Sequence, residues 1–293
     1  MNSLRGIAAL LLISANTVIW CVPLYLLGLL RLVSPARLRQ GLARPMDGLV
    51  QVWVGCNRTI FAGLRLTRIH PQWEDDESLS PRRWYLVLSN HQSWADIMIL
   101  QNTLWRRIPM LKFFTKRELI WVPLAGLAMW LLGFPYVRRL GREQIEADPS
   151  LADLDRVATL DACERFRNHP CSVLSFIEGS RFSLAKHAAQ AARFEHLLNP
   201  KLGGVSYVVD ALKDRVHKVL DVTIVYRGAV PSFWDLLQGR CRDVEVQVRC
   251  RDLPGAVAGA RDAAEVRERL RPWIESLWQD KDARLAGLGG LAN

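Results

Sequence analysis

The sequence predicts an α/β fold, a largely parallel sheet flanked by helices, with a membrane helix at its N-terminus. Three observations predict it. Short apolar runs at residues 84–88, 171–177, 222–226 and 244–248 alternate with longer stretches at helical spacing, the pattern of strands joined by crossover helices. Two of those runs break into polar corners, at residues 90–96 and 178–181, where an α/β protein presents chemistry at the carboxyl edge of its sheet. Residues 7–30 form an uncharged apolar segment, near the roughly 20 residues a helix needs to cross a bilayer. These features divide the chain into a membrane anchor at 1–32, a basic juxtamembrane segment at 33–62, a principal domain at 63–286 and a tail at 287–293.

The anchor reads as retained, because the apolar region of a cleaved signal peptide is about half as long and ends at a small-residue cleavage site. Pro23 can kink it, which keeps an interfacial or half-inserted hairpin as the alternative. Arg5 precedes the segment and Arg31, Arg37, Arg39 and Arg44 follow it, so the positive-inside rule places the rest of the chain in the cytoplasm. Strands are expected at 65–70 and 84–88, the second leading through the 90–96 corner into the helix-like Ile97-Met98-Ile99-Leu100. Residues 119–132 are apolar but too short to span; they read as an interfacial helix or a core helix. An amphipathic helix is expected over 151–166, with Ser150 as N-cap and Asn168-His169-Pro170 as its stop. The strands at 171–177, 222–226 and 244–248 follow, and residues 263–278 close the domain as a second amphipathic helix.

A chain of 293 residues can bury one substantial core. Its net charge of +10 points to an anionic partner. Between Thr103 and Arg142 eight basic residues (Arg106, Arg107, Lys112, Lys116, Arg117, Arg138, Arg139 and Arg142) stand against one acid, Glu118. The apolar run inside that stretch favours membrane phospholipid over nucleic acid, and no basic recognition helix or aromatic single-strand platform supports the latter. The six cysteines show neither a C-x-x-C pair nor zinc-ligand spacing, so reduced thiols and no structural metal are expected. The Ala, Leu and Arg bias, without eukaryotic targeting signals, suggests a bacterial inner membrane with the domain facing the cytoplasm.

Three motifs carry chemistry. In Asn90-His91-Gln92-Ser93-Trp94-Ala95-Asp96, a histidine at the corner with an aspartate one helical turn on suits a general base and the group that orients it. The competing reading makes Ser93 an N-cap and Asp96 its capping-box acid, with His91 a loop residue. Gly133-Phe134-Pro135-Tyr136-Val137-Arg138-Arg139 and Phe176-Ile177-Glu178-Gly179-Ser180-Arg181-Phe182 both end an apolar run in a turn and an arginine, whose planar fork matches phosphate oxygens. Gly179 permits a positive φ or a close backbone approach. Glu178 either holds Arg181 or accepts from a substrate hydroxyl; a solvated Glu–Arg pair is the alternative.

In this order the three motifs resemble those of the glycerolipid acyltransferase family, whose members acylate lysophosphatidic acid. His91 and Asp96 match its Asn-His-x-x-x-x-Asp corner; Gly133, Tyr136, Val137 and Arg139 match its Gly-x-x-Phe-Ile-x-Arg block; Phe176, Glu178, Gly179 and Arg181 match its Phe-x-Glu-Gly-x-Arg block. The Arg181-Phe182-Ser183-Leu184-Ala185-Lys186 extension is similar to that of the lysocardiolipin acyltransferase branch and its bacterial relatives. The resemblance covers residues 84–204. It implies an acyltransferase domain over 63–286 that moves a fatty acyl group from a thioester, acyl-CoA or acyl carrier protein, to a lysophospholipid hydroxyl, with no bound cofactor. It also implies His91 and Asp96 as catalytic groups. Arg138, Arg139, Glu178, Gly179, Ser180, Arg181 and Lys116 would bind the substrate. One departure stands out: where the family carries a proline-centred fourth block, this chain has Asp221-Val222-Thr223-Ile224-Val225-Tyr226-Arg227-Gly228. A thioester is already activated, so the absence of a Gly-x-Ser-x-Gly elbow fits acyl transfer better than lipid hydrolysis. A catalytically inactive lipid-binding protein of the same fold is the remaining rival, and the intact motifs weigh against it.

Overall fold

The structure is a computed structural model that describes residues 2–74, 79–137 and 150–287. Helices α1 (Asn2–Val33), α2 (Ala36–Gly41) and α3 (Ala43–Gly63) precede strands β1 (Arg68–Glu74) and β2 (Trp84–Ser89). Next come α4 (Ala95–Leu104), β3 (Leu111–Phe113), β4 (Thr115–Lys116), a 3-10 turn (Arg117–Trp121), α5 (Ala125–Leu131) and β5 (Tyr136–Val137). After α6 (Ser150–Arg167) come β6 (Ser172–Ser175), α7 (Leu184–Ala189), α8 (Leu202–Leu212) and β7 (Val216–Tyr226). The order closes with α9 (Phe233–Leu237), β8 (Asp243–Arg251) and α10 (Ala263–Gly287).

The main sheet has the strand order β1-β8-β7-β2-β6-β3, and β4 pairs with β5 in a small second sheet. Neighbouring strands of the main sheet run parallel except β7 and β8, so the largely parallel α/β fold read from the sequence is the fold observed. Period-2 geometry explains why the strands read as unbroken apolar runs: helices cover both faces. Leu86 and Leu88 of β2 face Phe166 of α6, Val205 and Val209 of α8 and Ile274 and Trp278 of α10. Tyr85 and Val87 face the opposite layer, which holds Phe61 of α3, Ile99 and Leu100 of α4 and Leu236 of α9.

Helix α1 runs on through Pro23 without ending. It is long and apolar enough to cross a membrane by length and composition, yet it lies packed on the domain along its length. Asn16 Nδ2 donates to Asn57 Oδ1 of α3 at 2.8 Å, and Trp53 Nε1 donates to Thr17 Oγ1 at 3.1 Å. Further along, Tyr25 Oη donates to the Leu124 carbonyl at 2.6 Å and Arg31 Nη1 to the Leu131 carbonyl at 3.1 Å. Gly28 permits the crossing with α5, since a Cβ there would stand 2.6 Å from Leu131 Cδ1. The outward side of α1 exposes Leu11, Ile19, Val22, Leu26 and Leu29. The segment expected only as basic and juxtamembrane is the helical pair α2 and α3.

Several boundaries differ from the sequence reading. Residues 119–132 are not one helix: Pro123 lacks an amide donor and keeps Val122 extended (ψ 120), which ends the 3-10 turn before α5 begins. The first strand falls at Arg68–Glu74 instead of 65–70, because Arg65 turns the chain with φ 49 after α3. Its Pro71 is tolerated because β1 is an edge strand. Strand β7 begins at Val216, six residues before the apolar run that signals it.

Candidate active site

His91 stands two residues beyond the end of β2, at the carboxyl edge of the sheet, and its side chain is 15% exposed. Its Nδ1 lies 2.8 Å from Asp96 Oδ2. A carboxylate only accepts, so Nδ1 carries the proton and the Nε2 lone pair is left outward. The imidazole stacks on Phe176 with centroids 3.9 Å apart and planes 14° apart, which fixes the ring plane. Asp96 is fully buried in the first turn of α4. Its Oδ2 also accepts the Gln92 and Ser93 amides at 2.7 and 2.9 Å, while its Oδ1 accepts the Tyr226 hydroxyl at 2.5 Å. The capping reading and the catalytic geometry therefore coexist: one carboxylate ties off the corner and holds the imidazole. Ser93 does not cap conventionally. Its hydroxyl accepts the Ala95 amide at 3.1 Å and donates to the Pro231 carbonyl at 2.5 Å.

The third motif docks directly on the first. Glu178 is completely buried, and its two oxygens accept the backbone amides of His91 (2.8 Å) and Leu198 (2.9 Å). The Phe182 amide donates to the His91 carbonyl at 2.7 Å, so residues 178–182 bracket the backbone of the histidine. This corrects the expectation that Glu178 holds Arg181 or meets the substrate: both its oxygens are spent on backbone amides, and it positions His91. Gly179 takes φ 74 in the turn. A Cβ there would stand 3.0 Å from Lys201 Cδ. Ser180 is half-buried, and Arg181 is exposed with its guanidinium carbon 5.0 Å from the Trp94 ring centroid. The structure thus gathers His91, Asp96, Glu178, Gly179, Ser180 and Arg181 at the carboxyl ends of β2 and β6. Lys116 is exposed on β4, in register with Val137. Arg138 and Arg139 lie outside the described residues.

Burial pushes the Glu178 carboxyl up to about 7, against the pull of its two amide hydrogen bonds. The folded value lies above the ordinary 4.5, so the stability this group contributes is complete below 4.5 and is lost as pH rises through about 7. Wild type should therefore lose melting temperature relative to Glu178→Gln between about pH 5 and about pH 8. Thermal melts of both proteins check this; a gap that stays constant or widens in favour of wild type contradicts the assignment.

Sequence reasoning missed two groups. Asn90 is buried and clasps the Ile224 backbone of β7 at both ends of its amide (2.9 and 2.8 Å), which pins the corner to the neighbouring strand. Tyr226, at the end of β7, holds the far oxygen of Asp96; burial first, and Asp96 second, push its hydroxyl well above its ordinary value, so it stays a donor. Tyr226→Phe leaves a buried carboxylate oxygen without its partner, a loss of about 1–3 kcal/mol. It should lower turnover roughly tenfold, at about 1.4 kcal/mol per decade, read from kcat at saturating substrates. The tyrosine's only sequence signal is its place at the end of an apolar strand.

The arrangement is a His–Asp pair held at a strand-to-helix corner of an α/β sheet, with Arg181 nearby, a geometry that suits a general base and the group that orients it. The acyltransferase family model matches residues 70–227, more than half of the chain. The protein belongs to the acyltransferase family. The 1-acyl-sn-glycerol-3-phosphate acyltransferase gamma of Homo sapiens is 28% identical over 183 residues, covering 59% of this chain and 44% of its own. The delta enzyme of Rattus norvegicus is 25% identical over 262 residues, covering 85% and 62%. The chain spans about half the length of the gamma relatives it matches. The fold is similar to that of the crystallised 1-acyl-sn-glycerophosphate (LPA) acyltransferase PlsC from Thermotoga maritima, with TM-score 0.56 and 17% identity over 98% of both chains.

Proposed function

We propose that this protein is a membrane-associated O-acyltransferase that moves a fatty acyl group from an acyl thioester to the free hydroxyl of lysophosphatidic acid or a related lysophospholipid. The observation that carries the proposal is the 2.8 Å His91–Asp96 contact, which leaves Nε2 as the free basic nitrogen of the corner. Nε2 takes the proton of the acceptor hydroxyl as its oxygen attacks the thioester carbonyl. Asp96 stabilises the imidazolium that forms, as in other His–Asp pairs. Collapse of the tetrahedral intermediate breaks the C–S bond, and the leaving sulfur recovers the proton from Nε2. The ester bond forms and the thioester bond is lost, so no enzyme-bound acyl group is required.

Arg181 binds the acceptor phosphate with Arg139, the other arginine at a family-motif position; Arg138 and Lys116, which match no motif position, are the further basic candidates. Acyl-CoA and acyl-loaded carrier protein both present the same thioester and are the donor candidates. The packing of α1 along the domain, with its apolar side outward, supports an in-plane seat in one leaflet. The basic residues after α1 support a cytoplasm-facing site, and a bacterial inner membrane is the matching location. Steady-state kinetics of Arg181→Ala test the acceptor assignment. Losing a charge-assisted contact of about 1.5–3 kcal/mol should raise the acceptor KM roughly 10- to 100-fold and leave the donor KM unchanged. An effect confined to the donor would reverse the assignment.

A further inference from the structure

Away from the catalytic corner, a half-buried cleft opens between the end of α1, the start of α3, β3 and the end of α6. Arg31, Asp47, Lys112, Arg165 and His169 line it. Lys112 is 8% exposed; its Nζ donates to the Leu132 carbonyl at 3.0 Å and lies 4.0 Å from Asp47 Oδ1. The other Asp47 oxygen meets His169 Nε2 at 2.9 Å. Arg31 donates to the Leu131 carbonyl, and Asp47 and Arg165 both act on its charge. Among the described residues that line the cleft, three cations, Arg31, Lys112 and Arg165, thus stand against one carboxylate, Asp47. The first turn of α3 carries no acid, and Asp47, the next residue of that helix, is the carboxylate that lines the cleft beside Ala43. An anion with several oxygens would balance this set, and the mixture of guanidinium forks and a point ammonium suits a phosphate group.

The cleft is separate from the His91 corner. Lys112 is level with Val173 and, through it, with Leu86, five residues before His91, or roughly 16 Å along the strand. Its surroundings indicate where the anion comes from. The exposed Leu26, Leu29, Leu30 and Leu32 of α1 surround Arg31 in sequence, and the exposed Leu127 and Trp130 of α5 lead into the wall at Leu132. An apolar surface that ends at a basic cleft fits a lipid, with chains along the helices and phosphate in the cleft. We propose that this cleft binds the headgroup phosphate of an anionic membrane phospholipid, a second lipid site that holds the protein on the bilayer; the proposal rests on the membrane reading above.

Flotation with phosphatidylcholine vesicles, with and without phosphatidylglycerol, tests it. Wild type should bind the phosphatidylglycerol-containing vesicles about tenfold more tightly than the neutral ones. Arg165→Glu, an exposed position that should fold normally, should lose that preference, bind neutral vesicles as wild type does and retain turnover on a soluble short-chain acceptor. Arg37→Glu, the same charge change outside the cleft, should keep most of the preference. Equal losses in the two variants, or no loss in Arg165→Glu, overturn the site. Saturating inorganic phosphate that abolishes the preference would assign the cleft to a soluble anion and overturn the lipid source. Failure of wild type to bind neutral vesicles counts against the membrane reading instead, so the two failures are distinguishable.

Discussion

Replacing His91 with alanine is expected to lower kcat for acyl transfer by about a hundred- to ten-thousand-fold, the usual worth of a positioned general base. The protein should remain folded, because the corner does not depend on the imidazole. Asp96 Oδ2 keeps the Gln92 and Ser93 amides, and Oδ1 keeps the Tyr226 hydroxyl. Glu178 and Phe182 bind the backbone of residue 91, which alanine retains. Asp96→Ala is a poorer test, since it removes the catalytic partner and the tie of the corner together. A melting temperature near wild type in His91→Ala, with turnover lost, separates chemistry from folding; wild-type turnover would sink the mechanism.

The second large effect is on stability, at a place the motifs do not mark. Asp221 of β7 and Lys281 of α10 are both fully buried, with Asp221 Oδ1 2.6 Å from Lys281 Nζ and Asp221 Oδ2 3.0 Å from Arg284 Nη2. The Lys281 and Arg284 cations hold the Asp221 carboxyl below its ordinary value although burial alone would raise it. Asp221→Ala strands the Lys281 ammonium in the interior, for which about 3–5 kcal/mol of stability is expected to be lost. At roughly 2–4 °C per kcal/mol for a chain of this size, the melting temperature should fall by about 10 °C. The double change Asp221→Ala with Lys281→Met should recover part of that loss, because the fully buried ammonium goes with its partner and only the partly exposed Arg284, which keeps the Asp280 carbonyl, is left without a carboxylate. A single variant that melts within a degree or so of wild type would contradict the ion-pair account.

This pair also bears on the site. From α10, Trp278 Nε1 donates to the Leu198 carbonyl at 3.2 Å, and Asp282 accepts the Glu195 and His196 amides at 2.9 and 2.7 Å. Leu198 in turn donates to Glu178, which holds His91. The C-terminal helix, outside the stretch that the family model matches, thus braces the His91 corner through one loop.

What was legible in the sequence follows from locality. His91 and Asp96 sit across a single corner, so their spacing alone brought them within reach of each other. The buried strands were legible because β2 shows apolar residues to both helical layers. Tyr226 with Asp96 and Asn90 with Ile224 were not legible: each joins segments that meet only because β7 and β2 are neighbours in the sheet. Nor was Leu198 with Glu178, because the two are 20 residues apart in the connection from β6 to α8. Glu178 was misread for a related reason. Three residues from Arg181 it resembles a surface ion pair, and only the fold shows that the turn buries it. The short β3 and the early start of β7 escaped because three residues, or a polar strand end such as His217-Lys218, carry too little pattern.

The most direct test of acyl transfer by the His91 corner is the product balance of the purified protein with an acyl thioester, measured by mass spectrometry with and without lysophosphatidic acid. Free thiol and phosphatidic acid should appear in equal amounts, only when the acceptor is present, and neither should form with His91→Ala. Free fatty acid released without the acceptor, or diacylated product formed undiminished by His91→Ala, would contradict the account.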